Sequence, residues 1–242
     1  MFKKLLPILC LLPLNVHAAD NQISLLNFDS QSEFKNFAKD FTGSLGYKTL
    51  TPAEPLGVSG FDIGASYTNS GLNYKLMDKV TTEGKGSFDT ISLHAIKGLP
   101  WGIDFGLDYS SVMNSNIETW GGKLSYALIE GGVLYPSVSI NGNYTQTSGL
   151  DALDFKSMGA EIGISKGFAN LTPYASVGMT NGELKSLVDN AGLAGVKLDT
   201  ESVSMMKYAV GVNINLLAMD VLVGYNQIGD VPSYSLKAGF RF

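Results

Sequence analysis

Ten ionisable side chains recur along this chain in positions that could face one compartment: Asp62, His94, Asp104, Asp108, Lys123, Glu161, Lys207, Asp220, Lys237 and Arg241. Their types suit acid–base chemistry or a network of ion pairs. Catalysis needs a base held by an orienting partner beside a nucleophile or water. His94, in ISLHAIKG, is the only histidine after residue 17. No serine motif around it matches a nucleophile elbow. Asp104 and Asp108 form a carboxylate pair in IDFGLD, which alone does not define a glycosidase. The one cysteine, Cys10, lies in the leader, so soft metal ligands are too few for a transition-metal site. VDNAGLAGVKLD lacks the spacing of a calcium loop, and no glycine-rich turn opens a helix after a strand. Neither a metal nor a cofactor is expected, and the chain is read as a non-enzyme.

The elements that would position these residues have period two. In FDIGASYT, Phe61, Ile63, Ala65 and Tyr67 oppose Asp62, Gly64, Ser66 and Thr68. In WGIDFGLDYS, Trp101, Ile103, Phe105, Leu107 and Tyr109 oppose Asp104, Asp108 and glycines. In LYPSVSINGNY, Leu134, Pro136, Val138, Ile140 and Tyr144 oppose Ser137, Ser139, Asn141 and Asn143. Similar alternation continues from residue 58 to the end and gives about ten strands, most of them ~10–15 residues long, against ~5–6 for an ordinary strand. Tight connections are read near 99–100, 131–132, 167–170 and 216–218. Longer or more polar ones are read at 70–86, 114–118, 147–154 and 183–199, with a shorter one near 229–231. Leu184, Leu187, Val188, Leu193 and Val196 suggest that 183–199 is partly helical.

This arrangement predicts an all-β fold, a transmembrane antiparallel up-and-down barrel of about ten strands over 58–242. In hydrocarbon every backbone N–H and C=O needs an internal partner, and a closed barrel supplies them all. Aromatic residues fall toward two rims: Phe61, Trp101, Phe240 and Phe242 at the short turns, and Tyr67, Trp120, Tyr144 and Tyr225 at the long loops. Composition agrees. The chain is 45% hydrophobic but 16% charged, and its net charge of -5 offers no basic surface for nucleic acid.

Upstream of the strands, residues 1–18 read as a signal peptide, with Lys3 and Lys4 before an apolar run and small residues before the cut. Segment 19–57 is read as periplasmic. Ser30 and Glu33 make a capping box, and Phe34, Phe37 and Phe41 recur at helical spacing. A short helix over 30–42 is expected, either capping the barrel base or plugging the lumen. TPAEPLG then excludes regular structure.

The final strand, SYSLKAGFRF, alternates to a terminal phenylalanine. Tyr234, Leu236, Phe240 and Phe242 resemble the C-terminal assembly signal of Gram-negative outer-membrane β-barrel proteins, and PAEPLGVSGFDIG resembles a segment in a group of uncharacterised bacterial barrels of that kind. The resemblance implies insertion by the barrel-assembly machinery, outer-membrane lipid as surroundings and residence in the outer membrane. It does not identify a small-molecule ligand. A structural or surface-interaction role is expected. One alternative is a narrow channel or transporter for a small solute, hydrophobic ones included, gated by the N-terminal segment. A second is an outer-membrane hydrolase using His94, since barrel enzymes of the phospholipase and omptin kinds rely on histidine.

Overall fold

In a computed structural model of the chain, the residues described are 23, 26–72, 77, 80, 86–188, 197–217 and 219–242. The leader over 1–18 lies outside them, as do Leu193 and Val196 of the partly helical reading. Ten strands alternate in the wall: β1 (Phe61–Gly71), β2 (Ser87–Leu99), β3 (Ile103–Val112), β4 (Glu118–Ile129), β5 (Ser137–Ser148), β6 (Leu153–Ser165), β7 (Leu171–Ser186), β8 (Glu201–Leu216), β9 (Met219–Ile228) and β10 (Val231–Arg241). Each pairs antiparallel with its sequence neighbour, and β1 pairs β10 to close the barrel. The closing ladder runs from Asp62 opposite Arg241 to Ser70 opposite Ser233. Phe61 N–H donates to Phe242 C=O at 2.7 Å and Phe242 N–H to Phe61 C=O at 3.0 Å. The last residue is therefore part of the seam and leaves no open edge there.

Side chains alternate between two environments along every strand. Ile63, Leu93, Leu107, Leu124, Val223, Leu236 and Phe240 point outward and are about half exposed or more. Ser66, Thr68, Lys123, Glu161, Lys207 and Lys237 are buried within. The exterior is apolar and the interior polar, the reverse of a water-soluble domain and the pattern a bilayer requires.

Several boundaries move. β1 begins at Phe61, not 58, because Gly60 N–H turns back to Gly57 C=O at 3.0 Å. Trp101 leaves its expected strand for a 3-10 turn at Pro100–Gly102, where it has φ 63. Leu134 and Pro136 lie in the seven-residue β4–β5 connection, so this supposedly tight end is not uniformly tight. β7 extends to Ser186 and takes Leu184 out of the loop and into the wall. The contrast between barrel ends rests mainly on the β1–β2 and β7–β8 connections.

The helix α1 spans Gln31–Leu45. Ser30 caps it by accepting from Glu33 N–H at 3.3 Å, while Glu33 reaches back to Asp29 N–H at 3.0 Å, one residue earlier than a standard box. α1 lies at the barrel end that carries the long connections, against β7, β8, β9 and β10. A Cβ at Gly182 of β7 would collide with Thr42, and one at Gly43 would collide with Val231 of β10. Only glycine permits this closeness between helix and wall.

The physical reason is a change in the lumen face near that end. Phe88, Val112, Phe155, Leu184, Val203, Ile228 and Val231 occupy inward positions that elsewhere carry polar groups, and all are buried. They make an apolar collar. Phe34, Phe37 and Phe41, all fully buried, fill it together with Phe28. The rings stack in sequence, Phe28 to Phe37 at 5.2 Å, Phe37 to Phe41 at 5.1 Å and Phe41 to Phe155 at 5.4 Å. Burying each such ring stabilises by about 1.5–3 kcal/mol. Among the described residues the buried apolar cluster gathers at this end, and the helix sits in it.

Candidate functional site

From Gly46 the chain descends through the lumen to reach β1, and the polar wall residues meet it in order. Thr49 comes first. Its hydroxyl donates to Glu161, with Oε1 at 2.7 Å and Oε2 at 2.8 Å. Its N–H donates to Asn226 Oδ1 at 2.9 Å, and its C=O accepts from the Tyr174 hydroxyl at 3.0 Å and from Asn226 Nδ2 at 3.3 Å. Next, the Thr51 hydroxyl accepts from Lys123 Nζ at 2.7 Å. Ala53 N–H donates to Ser165 Oγ at 3.0 Å, and Glu54 C=O accepts from Arg241 at 3.3 Å. Leu56 N–H donates to Asp104 at 3.1 Å. Gly98 of β2 then faces Gly57 so closely that a Cβ would strike its carbonyl. Ser165, Asp104, Arg241 and Gly98 all lie at the short-turn ends of their strands.

The ten charged residues expected in the lumen divide among distinct tasks. Glu161 and Lys207 are both about 1% exposed, with Nζ 3.2 Å from Oε2. Ser176 also donates to Glu161 at 3.1 Å, and the Lys207 ammonium lies 5.1 Å from the Tyr47 ring centre. A second group sits beside the seam. Asp62 accepts from Lys237 at 2.6 Å and pairs with His94 Nε2 at 2.9 Å, while Lys237 also lies 3.3 Å from Asp220. This group joins β1, β2, β9 and β10. Asp104, Lys123 and Arg241 hold the descending segment. Asp108 borders a cavity and does not join either cluster. Ion pairs this deeply buried roughly balance Coulomb attraction against lost hydration, so their main effect is to make any partner's removal costly.

The plug sits off-centre. α1 lies on β7–β10, and a cavity of about 80 Å³ remains on the opposite side, against β1–β5. Hydroxyls of Thr68, Thr90, Ser92, Ser110, Thr119 and Thr145 border it, along with His94, Asp108 and Lys123. The buried hydroxyls of Thr90 and Thr145 have no protein partner among the described residues. Leu45, Leu50, Ile96 and Val112 also line it, and a space of this size has room for a few waters beside the hydroxyls.

Sequence reasoning missed Thr49, Thr51, Tyr174, Ser176 and Asn226. The wall members among them share lumen parity with Thr172 and Asp220, which was a usable signal. Thr49 and Thr51 lie in irregular chain and gave none. For the hydrolase reading, His94 has Asp62 as an orienting acid, but that acid is also bound to Lys237, and among the described residues no serine is bonded to the ring. Among those residues, no group of three or more His, Asp and Glu side chains is arranged to hold a metal ion.

No protein-family description matches the chain, and no curated protein matches its sequence. Several solved barrels resemble it in architecture. The attachment invasion locus protein Ail of Yersinia pestis is 18% identical, covering 76% of this chain and 97% of its own, with a TM-score of 0.33. The N-terminal β-barrel domain of OprF from Pseudomonas aeruginosa is 12% identical, covering 75% and 99%, at 0.36. Neisserial surface protein A is 13% identical, covering 75% and 94%, at 0.33. Likeness at this level concerns the arrangement of strands and transfers no residue role.

Proposed function

We propose that this chain is an integral outer-membrane β-barrel, non-enzymatic, whose lumen is closed at rest by its own N-terminal segment and whose role is structural or surface-interacting. The observation that carries this reading is the unbroken succession of contacts from the phenylalanine collar through Thr49, Thr51, Ala53 and Glu54 to Leu56. A transient gate has no need of so many directional bonds. The apolar exterior favours lipid, and the outward-facing Tyr234, Leu236, Phe240 and Phe242 leave the last strand's alternation available to the barrel-assembly machinery.

A second reading, a narrow path for a small solute, draws on the off-centre plug and the hydroxyl-bordered cavity. It comes second because the described segment is bonded to the wall all the way from Thr49 to Leu56. Fractionation and liposome swelling separate the two. The closed reading expects the protein in the outer-membrane fraction, with heat-modifiable migration on a denaturing gel and no swelling with small sugars. Swelling at a porin-like rate would reverse the order, and monodispersity in plain buffer would remove the membrane reading altogether.

A further inference from the structure

The direction in which the segment crosses the barrel has a consequence for what the protein shows to its surroundings. β1 starts at the short-turn end, yet the chain before it comes from the opposite end. At that end Ile23 N–H donates to Asn116 in the β3–β4 connection at 3.1 Å. Gln31 bonds both ways with Asp199, donating to its C=O at 2.9 Å and accepting from its N–H at 3.0 Å, in the connection before β8. Gln31 also donates to Glu201 at 2.6 Å. Leu26 and Phe28 are buried with Leu150, Ala152 and Leu198, which belong to the same set of connections. The start of the described chain is thus built into the loop rim, and residues 46–60 run from there to the far end. Fifteen residues can span up to about 50 Å, which leaves slack for the bends and the turn at Gly57–Gly60 in crossing a barrel of membrane height.

Barrels of this type place their long loops on the outer side of the membrane. We infer that the protein carries its own N-terminal segment through the barrel it closes, so that α1 and the described residues just ahead of it form part of the cell-exterior surface together with the loops. This rests on the outer-membrane reading above. A leader-bearing chain would then be processed on the periplasmic side and have its downstream segment enclosed as the β1–β10 seam forms around it. The exposed side of α1, with Ser32 and Lys35, becomes an outward-facing surface and does not look into the periplasm.

Cysteine labelling in intact cells tests this. The only native cysteine is Cys10, in the leader, so the unsubstituted protein is the blank. Ser32→Cys reports on α1, with Lys35→Cys as a second probe of the same surface. Leu187→Cys, beyond β7, reports on the long-loop end, and Leu134→Cys, in the β4–β5 connection, on the other end. The reagent is a polyethylene-glycol maleimide too bulky to enter a plugged lumen, read as a gel shift. The inference expects Ser32→Cys, Lys35→Cys and Leu187→Cys to shift fully in intact cells and Leu134→Cys only after permeabilisation. If both α1 probes shift only after permeabilisation while Leu187→Cys shifts in intact cells, the threaded topology is wrong and the barrel reading stands. If Leu134→Cys shifts in intact cells and Leu187→Cys does not, the barrel is inserted the other way and outward delivery is wrong. If permeabilisation alters no probe, the outer-membrane reading fails and the inference with it.

Discussion

At the mouth of the barrel, the N-terminal segment is held by rings packed on rings. Halfway down and at the base, the same segment is held by hydrogen bonds to charged or polar wall groups. The first interaction has no preferred direction and scales with buried area. The second depends on angle and on one atom meeting another. The mouth therefore supplies most of the attachment, while the base sets register, fixing which residue of 49–56 lies at which height. The comparison also explains why one barrel carries two lumen chemistries. A helix can bury an apolar stripe in a collar, but an irregular segment with no sheet partner must find side-chain partners for its backbone.

If this division is right, the largest effect comes from placing charge in the collar. Phe41 touches Phe37, Phe88 and Phe155. Phe41→Asp should weaken docking of α1 by about 4 kcal/mol or more. Native-state proteolysis should then cut within residues 26–56 while the β-ladder keeps its heat-modifiable migration. Joint loss of ladder and helix would mean that the plug is part of the wall's own stability.

Glu161→Ala comes next. It leaves Lys207 buried without its counter-charge, a cost of about 3–5 kcal/mol, and Lys207→Met in the same chain should recover most of it. Thermal midpoints of the two single variants and the double variant check this coupling. Additive losses would show that the pair does not act as a unit. Thr49→Val keeps the shape but removes the hydroxyl bonded to Glu161. About 1.5–3 kcal/mol is expected, seen as faster proteolysis of the segment with an unchanged wall. The smallest effect belongs to the exposed pair Lys156–Glu183, 2.8 Å apart and roughly half exposed on both sides. Lys156→Ala should leave the thermal midpoint almost unchanged, and a clear drop would imply that the outer rim takes part in holding the plug.

Much of the wall was legible because a barrel between lipid and a polar lumen imposes period two on every strand. The same parity located Asp62, His94, Glu161, Lys207 and Lys237. Turn boundaries were less legible, since Trp101 and Leu134 keep the apolar character of the strands beside them. The position of α1 was the least legible feature. Phe34, Phe37 and Phe41 say only that the helix needs an apolar surface. Where that surface lies was recorded elsewhere, in Phe88, Phe155, Leu184 and Val203. These break the polar side of their strands near one end, and the break becomes meaningful only when the strands stand side by side. Thr49 and Leu56 could not have been found at all, because their roles depend on the path of an irregular segment.

The central claim, that the segment occludes the lumen, is tested most directly by single-channel recording in planar bilayers. The full chain is compared with one lacking residues 20–50, after both show heat-modifiable migration. The account predicts a silent full-length barrel and a conducting truncated one. Equal conductance in the two would contradict it.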